Sequence, residues 1–131
     1  MQDVCSGLKN PSQVLGIGFD ATCSLVAVND TGQPVTVSIS KDPQRNIVLW
    51  QDHRAVAEAS EINAIRHPVL SFVGGCISPE MQPPKLLWLK RNLREDCWEK
   101  ATHFLDLADY LTYRATSSTV RYAQHQELYN S

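Results

Sequence analysis

Two short polar runs follow apolar stretches of this sequence, and their residue types could do chemistry. Asp20-Ala21-Thr22-Cys23-Ser24 comes directly after Val14-Leu15-Gly16-Ile17-Gly18-Phe19, and every member except Ala21 can hydrogen-bond through its side chain. Ligands of open α/β sheets collect beyond strand ends, so the run is a candidate binding segment; it reads equally as a polar turn joining two strands. Trp50-Gln51-Asp52-His53-Arg54 is the second run. It offers an aromatic wall, an acceptor, and cationic and amide donors, which suits a polyhydroxylated ligand. The plainer alternative makes Asp52 a helix N-cap and Arg54 a solvated cation. Ser78-Pro79-Glu80 likewise reads as a cap followed by an acid in a first helical turn.

Other chemistries find less support. Cys23 and His53 would make a nucleophile and base, yet nothing in the sequence brings them together or supplies an orienting third group. Gly16-Ile17-Gly18 lacks the third glycine and following helix of a dinucleotide fingerprint, and reads as a strand running close to other backbone. The four cysteines, Cys5, Cys23, Cys76 and Cys97, form no C-x-x-C pair, and His67, His103 and His125 show no ligand spacing, so reduced thiols and no metal site are expected. Twelve Lys plus Arg against fourteen Asp plus Glu give a charge of -2, which lacks the basic footprint that nucleic acid or an anionic membrane surface demands. Apolar runs such as residues 47–50 and 86–89 fall far short of the roughly 20 that span a bilayer, and Met1-Gln2-Asp3 has no basic or apolar leader character. A cytoplasmic location is the expectation.

The elements that must position these side chains follow from periodicity. With 131 residues, 43% hydrophobic and 20% charged, the chain has the composition of about one globular domain. Strands are expected at residues 14–19, 24–29, 34–38 and 46–50, the second and third joined by the Asn29-Asp30-Thr31-Gly32 turn. The run Ile47-Val48-Leu49-Trp50 reads as buried on both faces. Ala55, Ala59 and Ile62 then recur at helical spacing, with Glu58 and Glu61 elsewhere on the wheel, which predicts a helix over residues 54–65 that His67-Pro68 ends. A loop rich in Gly and Pro leads to a second helix with Pro84 in its first turn. Leu86, Leu89 and Leu93 form its buried stripe, and Lys90, Arg91 and Arg94 crowd its end, where cations oppose the helix dipole. A short helix at 95–100, a strand at 103–107 and a helix at 108–114 follow, with Asp106 and Asp109 resembling an acidic capping box. The order of strands, then helices, predicts an α/β layer.

Taken together, the strings Gly16-Ile-Gly-Phe-Asp-Ala-Thr-Cys-Ser24, Leu49-Trp-Gln-Asp-His-Arg-Ala55, Gly74-Gly-Cys-Ile-Ser-Pro-Glu80, Pro84-Lys-Leu-Leu-Trp-Leu-Lys90 and Phe104-Leu-Asp-Leu-Ala-Asp-Tyr-Leu-Thr-Tyr-Arg-Ala-Thr116 closely resemble the FGGY carbohydrate kinases. Within them the D-ribulokinase-like branch is nearest. The resemblance covers about residues 15–116 and implies part of the amino-terminal domain of an actin-like ATPase, of ribonuclease H-like fold, with a mixed sheet and flanking helices. It further implies ATP-dependent phosphorylation of a sugar hydroxyl, with a pentulose, D-ribulose, as the expected substrate. Matched by position, Asp20, Ala21, Thr22 and Cys23 fall on the sugar-contacting strand end, Trp50, Asp52 and Arg54 on a second sugar-lining segment, Glu80 on a substrate-contacting position, and Lys85 at the start of the matching helix.

The departures from the family pattern shape the remaining expectations. Residues 1–10 read as a helix-like stretch where the family has a strand, hairpin and phosphate loop, and the family's general-base Asp has no counterpart here. Residues 1–116 are therefore read as a partial amino-terminal kinase domain, and 117–131 as a divergent, frayed tail. ATP and magnesium belong to the full-length family, and neither is expected to bind this chain alone. No catalytic residue is assigned. The alternative to an enzyme is a non-catalytic splice or truncation product that binds a sugar or a partner weakly, and an exposed sheet edge at 14–19 is expected to drive self-association.

Overall fold

The computed structural model describes residues 14–119 together with 7, 10 and 12. The helix-like reading of residues 1–10 and most of the expected tail lie outside the described residues. Three strands, β1 (Leu25–Val28), β2 (Ile47–Val48) and β3 (His103–Asp106), form a sheet of order β2-β1-β3. Both pairings are antiparallel, Leu25 facing Val48 on one side and Asp106 on the other. The described sheet is thus antiparallel where a mixed one was expected.

β1 is central, and its four apolar residues are all buried. Successive side chains of a strand point to opposite faces, so Leu25 and Ala27 join Val48, Leu89 and Cys97 on one side, while Val26 and Val28 pack with Leu105, Leu107 and Tyr110 on the other. Helices therefore cover the sheet on both faces, which is the layered α/β arrangement the element order predicts. α2 (Gln82–Asn92) covers one face and α3 (Leu107–Thr116) the other, and α1 (Val56–Ala64) packs against α2, with a 3₁₀ turn at Pro68–Val73 and a π turn at Arg94–Trp98.

Several local expectations hold. Asn29 Oδ1 accepts from the Thr31 and Gln33 amides at 3.1 and 2.8 Å, closing the expected turn. Gly32 sits there at φ 75°, and a Cβ on it would fall 2.4 Å from the Tyr113 hydroxyl oxygen. The left-handed backbone disfavours a side chain at Gly32, and the Tyr113 hydroxyl would have to move to admit one. Pro83 and Pro84 open α2, where their missing N–H groups cost nothing, and Leu89 and Leu93 are buried as predicted.

Other expectations fail for identifiable reasons. Residues 14–19 form no strand; Leu15 is 98% exposed, and a Cβ on Gly16 or Gly18 would meet nothing within 4 Å. No close backbone approach exists there, and two glycines carry an ordering cost that no strand pairing offsets among the described residues. The sheet edge expected at 14–19 is therefore absent. Residues 34–38 contribute a single bridge, Val28 to Pro34, because the Val37 amide turns away to the Arg45 carbonyl. β2 is an edge strand with only Val48 inward, Ile47 and Leu49 being exposed, so the reading of that run as buried on both faces is corrected. Glu58, placed by the periodicity off the apolar stripe, is nonetheless buried, against Arg91. The 95–100 helix is replaced by the π turn, which buries Cys97; burial pushes this thiol up to about 11.

Candidate functional site

One end of the sheet gathers the start of β1 and the ends of β2 and β3, because the register places Leu25 opposite both Val48 and Asp106. Ser24 sits there, 1% exposed. Its Oγ accepts from the Trp50 amide at 3.2 Å and lies 3.3 Å from Thr22 Oγ1, while its carbonyl accepts from the Leu107 amide. The first polar run is thereby tied to the second across the sheet end.

The amino-terminal turn of α2 crosses this end and supplies the two side chains that lock it. Gln82 Nε2 donates to the Cys23 carbonyl at 3.2 Å and to Asp106 Oδ1 at 3.0 Å. Both partners accept only, which decides the orientation of the amide. Lys85 is fully buried, and its Nζ donates to the Leu49 and Trp50 carbonyls at 2.9 Å each. Burial pulls the Lys85 ammonium below its ordinary value, opposed by the charges of Asp52 and Glu80. A buried cation is tolerable only with such hydrogen bonds and counter-charges.

The segment after β2 folds back on itself. Asp52 accepts from the Arg54 backbone amide at 2.9 Å and from Arg54 Nε and Nη2, the latter at 2.6 Å. The Arg54 hydrogen bond, against the opposing effect of burial, holds the Asp52 carboxyl below its ordinary value. Arg54 Nη1 reaches the Val37 carbonyl at 2.7 Å, and its guanidinium stacks 4.9 Å from the Trp88 ring centroid. Asp52, Arg54, Trp88, Ser38 and Ile39 line an open groove of about 320 Å³. His53 points to Glu80, with Nε2 2.7 Å from Oε1.

The structure therefore brings Thr22, Cys23, Trp50, Asp52, Arg54, Glu80 and Lys85 to one end of the sheet, with Ala21 half-buried and Asp20 exposed just before them. No hydrogen bond among the described residues ties Asp20 into the network. Asp52 does cap locally, as the plainer alternative allowed, but α1 begins only at Val56. Ser78 Oγ accepts from the Glu80 amide in a turn ahead of α2 rather than at its cap. Asp106 precedes α3 without a side-chain capping bond, so the capping-box reading is corrected. His53 pairs with Glu80 and not with Cys23, which removes the nucleophile and base pairing. Ser24, Gln82 and Trp88 join the site without having been singled out; Ser24 stood inside the first polar run, whereas nothing local marked Gln82 or Trp88.

No family model matches the chain. It is 54% identical over 110 residues to the FGGY carbohydrate kinase domain-containing protein of Homo sapiens, a match covering 84% of this chain and 20% of that protein. The Danio rerio protein of the same description is 55% identical over 108 residues. The D-ribulokinase of Saccharomyces cerevisiae is 45% identical over 115 residues, covering 86% of this chain and 16% of the relative. The chain thus spans about a fifth of the length of these curated relatives. Its fold is similar to that of a xyloylose kinase from Brucella ovis, with a TM-score of 0.66 at 23% identity over 86% of this chain and 22% of the other. The resemblance to the FGGY carbohydrate kinases read from the motifs holds over most of the chain.

Proposed function

We propose that this chain, FGGY carbohydrate kinase sequence over most of its length, carries part of the sugar-binding half of an ATP-dependent pentulose kinase, with D-ribulose as the substrate. Residues 1–116 would then belong to the amino-terminal domain of an actin-like ATPase fold, and 117–131 to a divergent tail. The observation that carries this reading is the convergence of both polar runs on the start of α2, where Gln82 holds the Cys23 carbonyl and the buried Lys85 pins the Leu49 and Trp50 carbonyls while Asp52 and Glu80 lie close enough to bias its charge. A polyol needs several fixed acceptors and donors around an apolar or aromatic surface. In this reading Asp20, Asp52 and Glu80 accept from sugar hydroxyls. Ala21, Thr22 and Cys23 form the wall below them, Arg54 donates, and the exposed Trp50 covers the ring. Lys85 positions the Trp50 segment.

The family implies ATP and magnesium, and the described residues do not fit the metal. Among the described residues no three His, Cys, Asp or Glu side chains converge in a way that could hold a metal ion, so no phosphoryl-transfer step is derived for these residues. Among the described residues no helix is long and apolar enough to cross a membrane. In this reading the chain binds the sugar, and turnover by the chain alone is not expected. Self-association was expected through a sheet edge at 14–19, and without that edge it loses its support. The test is a coupled ADP-release assay with D-ribulose, alongside chemical-shift titration of the chain with the same sugar. Binding without turnover is the expected result. Turnover abolished by Asp20→Ala would show the chain itself to be catalytic, and the absence of binding would refute the sugar site.

A further inference from the structure

Glu80 and His53 stand 27 positions apart, and only the packing of α2 against the end of the sheet brings them together, Nε2 to Oε1 at 2.7 Å. An ionised carboxylate accepts hydrogen bonds and donates none. The His53 ring must therefore carry a proton on Nε2, and Glu80 is held by a donor that cannot reverse its role. Both side chains remain substantially exposed, 58% and 40%, so the pair lies at the rim of the site where a ligand reaches it. The other charged groups around it are already engaged. Lys85 is bound to the Leu49 and Trp50 carbonyls, and Asp52 and Arg54 are bound to each other.

We infer that His53 is a positioning residue of this site: its imidazole occupies one oxygen of Glu80 and thereby fixes the carboxylate in the orientation that receives a ligand hydroxyl. This inference rests on the sugar-site reading above. A carboxylate offers about four lone-pair sites, so one bond to the ring leaves capacity for a hydroxyl while removing the freedom of the side chain to rotate. Holding a polar group in place before the ligand arrives removes an ordering cost from binding. Because both side chains are solvent-screened, the bond is worth an ordinary hydrogen bond, and its loss corresponds to about a two- to tenfold loss of affinity.

The experiment is a chemical-shift titration of the full chain with D-ribulose, for the wild type, His53→Ala, His53→Gln, Glu80→Ala and the double variant His53→Ala/Glu80→Ala. His53→Ala is expected to weaken binding about three- to tenfold. His53→Gln is expected to restore it to within about twofold, because a glutamine amide nitrogen can take the place of Nε2. In the Glu80→Ala background, His53→Ala should cost nothing further. Imidazole nitrogen shifts of His53 should report the Nε2–H form in the wild type and change in Glu80→Ala. Wild-type affinity in His53→Ala, with Glu80→Ala weakened, would overturn this inference and leave the sugar site standing. An undiminished loss from His53→Ala on top of Glu80→Ala would assign the effect to folding and overturn it too, as would imidazole shifts indifferent to Glu80. No effect of Glu80→Ala, or no binding by the wild type, would refute the sugar site and the inference together.

Discussion

Lys85→Met removes the one buried cation that joins α2 to the segment after β2 while keeping an unbranched apolar side chain in the core. A hydrogen bond from a charged donor contributes about 1.5–3 kcal/mol, and Lys85 makes two, at 2.9 Å each. The sum overstates the loss, because burial opposes the ammonium form and its removal relieves a desolvation cost. The net destabilisation expected is about 2 kcal/mol, or about 8 °C in Tm for a domain of this size, measured by urea and thermal unfolding followed by circular dichroism. The sign of the pH dependence follows from the depressed pKa. Between the folded value and the unfolded value of 10.5 the unfolded chain holds more protons, so wild-type stability rises with pH there. Lys85→Met lacks that rise, and the gap between the two proteins should widen as pH climbs towards 10.5. A variant as stable as the wild type at pH 7, or a gap that narrows at high pH, would refute the account of Lys85 as a hydrogen-bonded buried cation.

Gly32→Ala should destabilise by about 1–2 kcal/mol, since its backbone is left-handed at φ 75° and that conformation costs a non-glycine residue about this much; thermal unfolding with a drop of less than 1 °C would contradict this. Asp52 is a depressed carboxyl whose ordinary value is 3.8, so its contribution is present above 3.8 and is lost as pH falls through the lower folded value. Asp52→Asn should accordingly flatten the acid limb of the stability curve, and an unchanged limb in urea titrations would exclude the Arg54 pairing as its cause. Thiol labelling of the native chain should leave Cys97, buried and pushed up to about 11, unmodified while the exposed Cys23 and Cys76 react; equal rates at all three would show that the π turn opens readily.

Local chemistry made part of this protein legible in its sequence. The strand at 24–29, the Asn29-Asp30-Thr31-Gly32 turn, the α1 periodicity and the proline start of α2 all depend on neighbours within a few positions, and each appears where it was expected. The motif strings likewise marked which segments meet at the candidate site. What the strings could not contain is the pairing across distance. Strand pairing is decided by a partner, and no described strand lies beside residues 14–19, so an apolar run with two glycines stays irregular and mostly exposed. The β2 run resembled a doubly buried strand because four apolar residues in a row do not say which side carries the core; its edge position exposed Ile47 and Leu49. Lys85 is polar by type and buried by circumstance, since only the tertiary fold places two carbonyls from 35 and 36 positions away around its ammonium. Gln82 finds Cys23 across 59 positions in the same way. Propensity acts along the chain, whereas the hydrogen-bond partners that make buried polar groups affordable are supplied by segments that meet only when the sheet and α2 have packed.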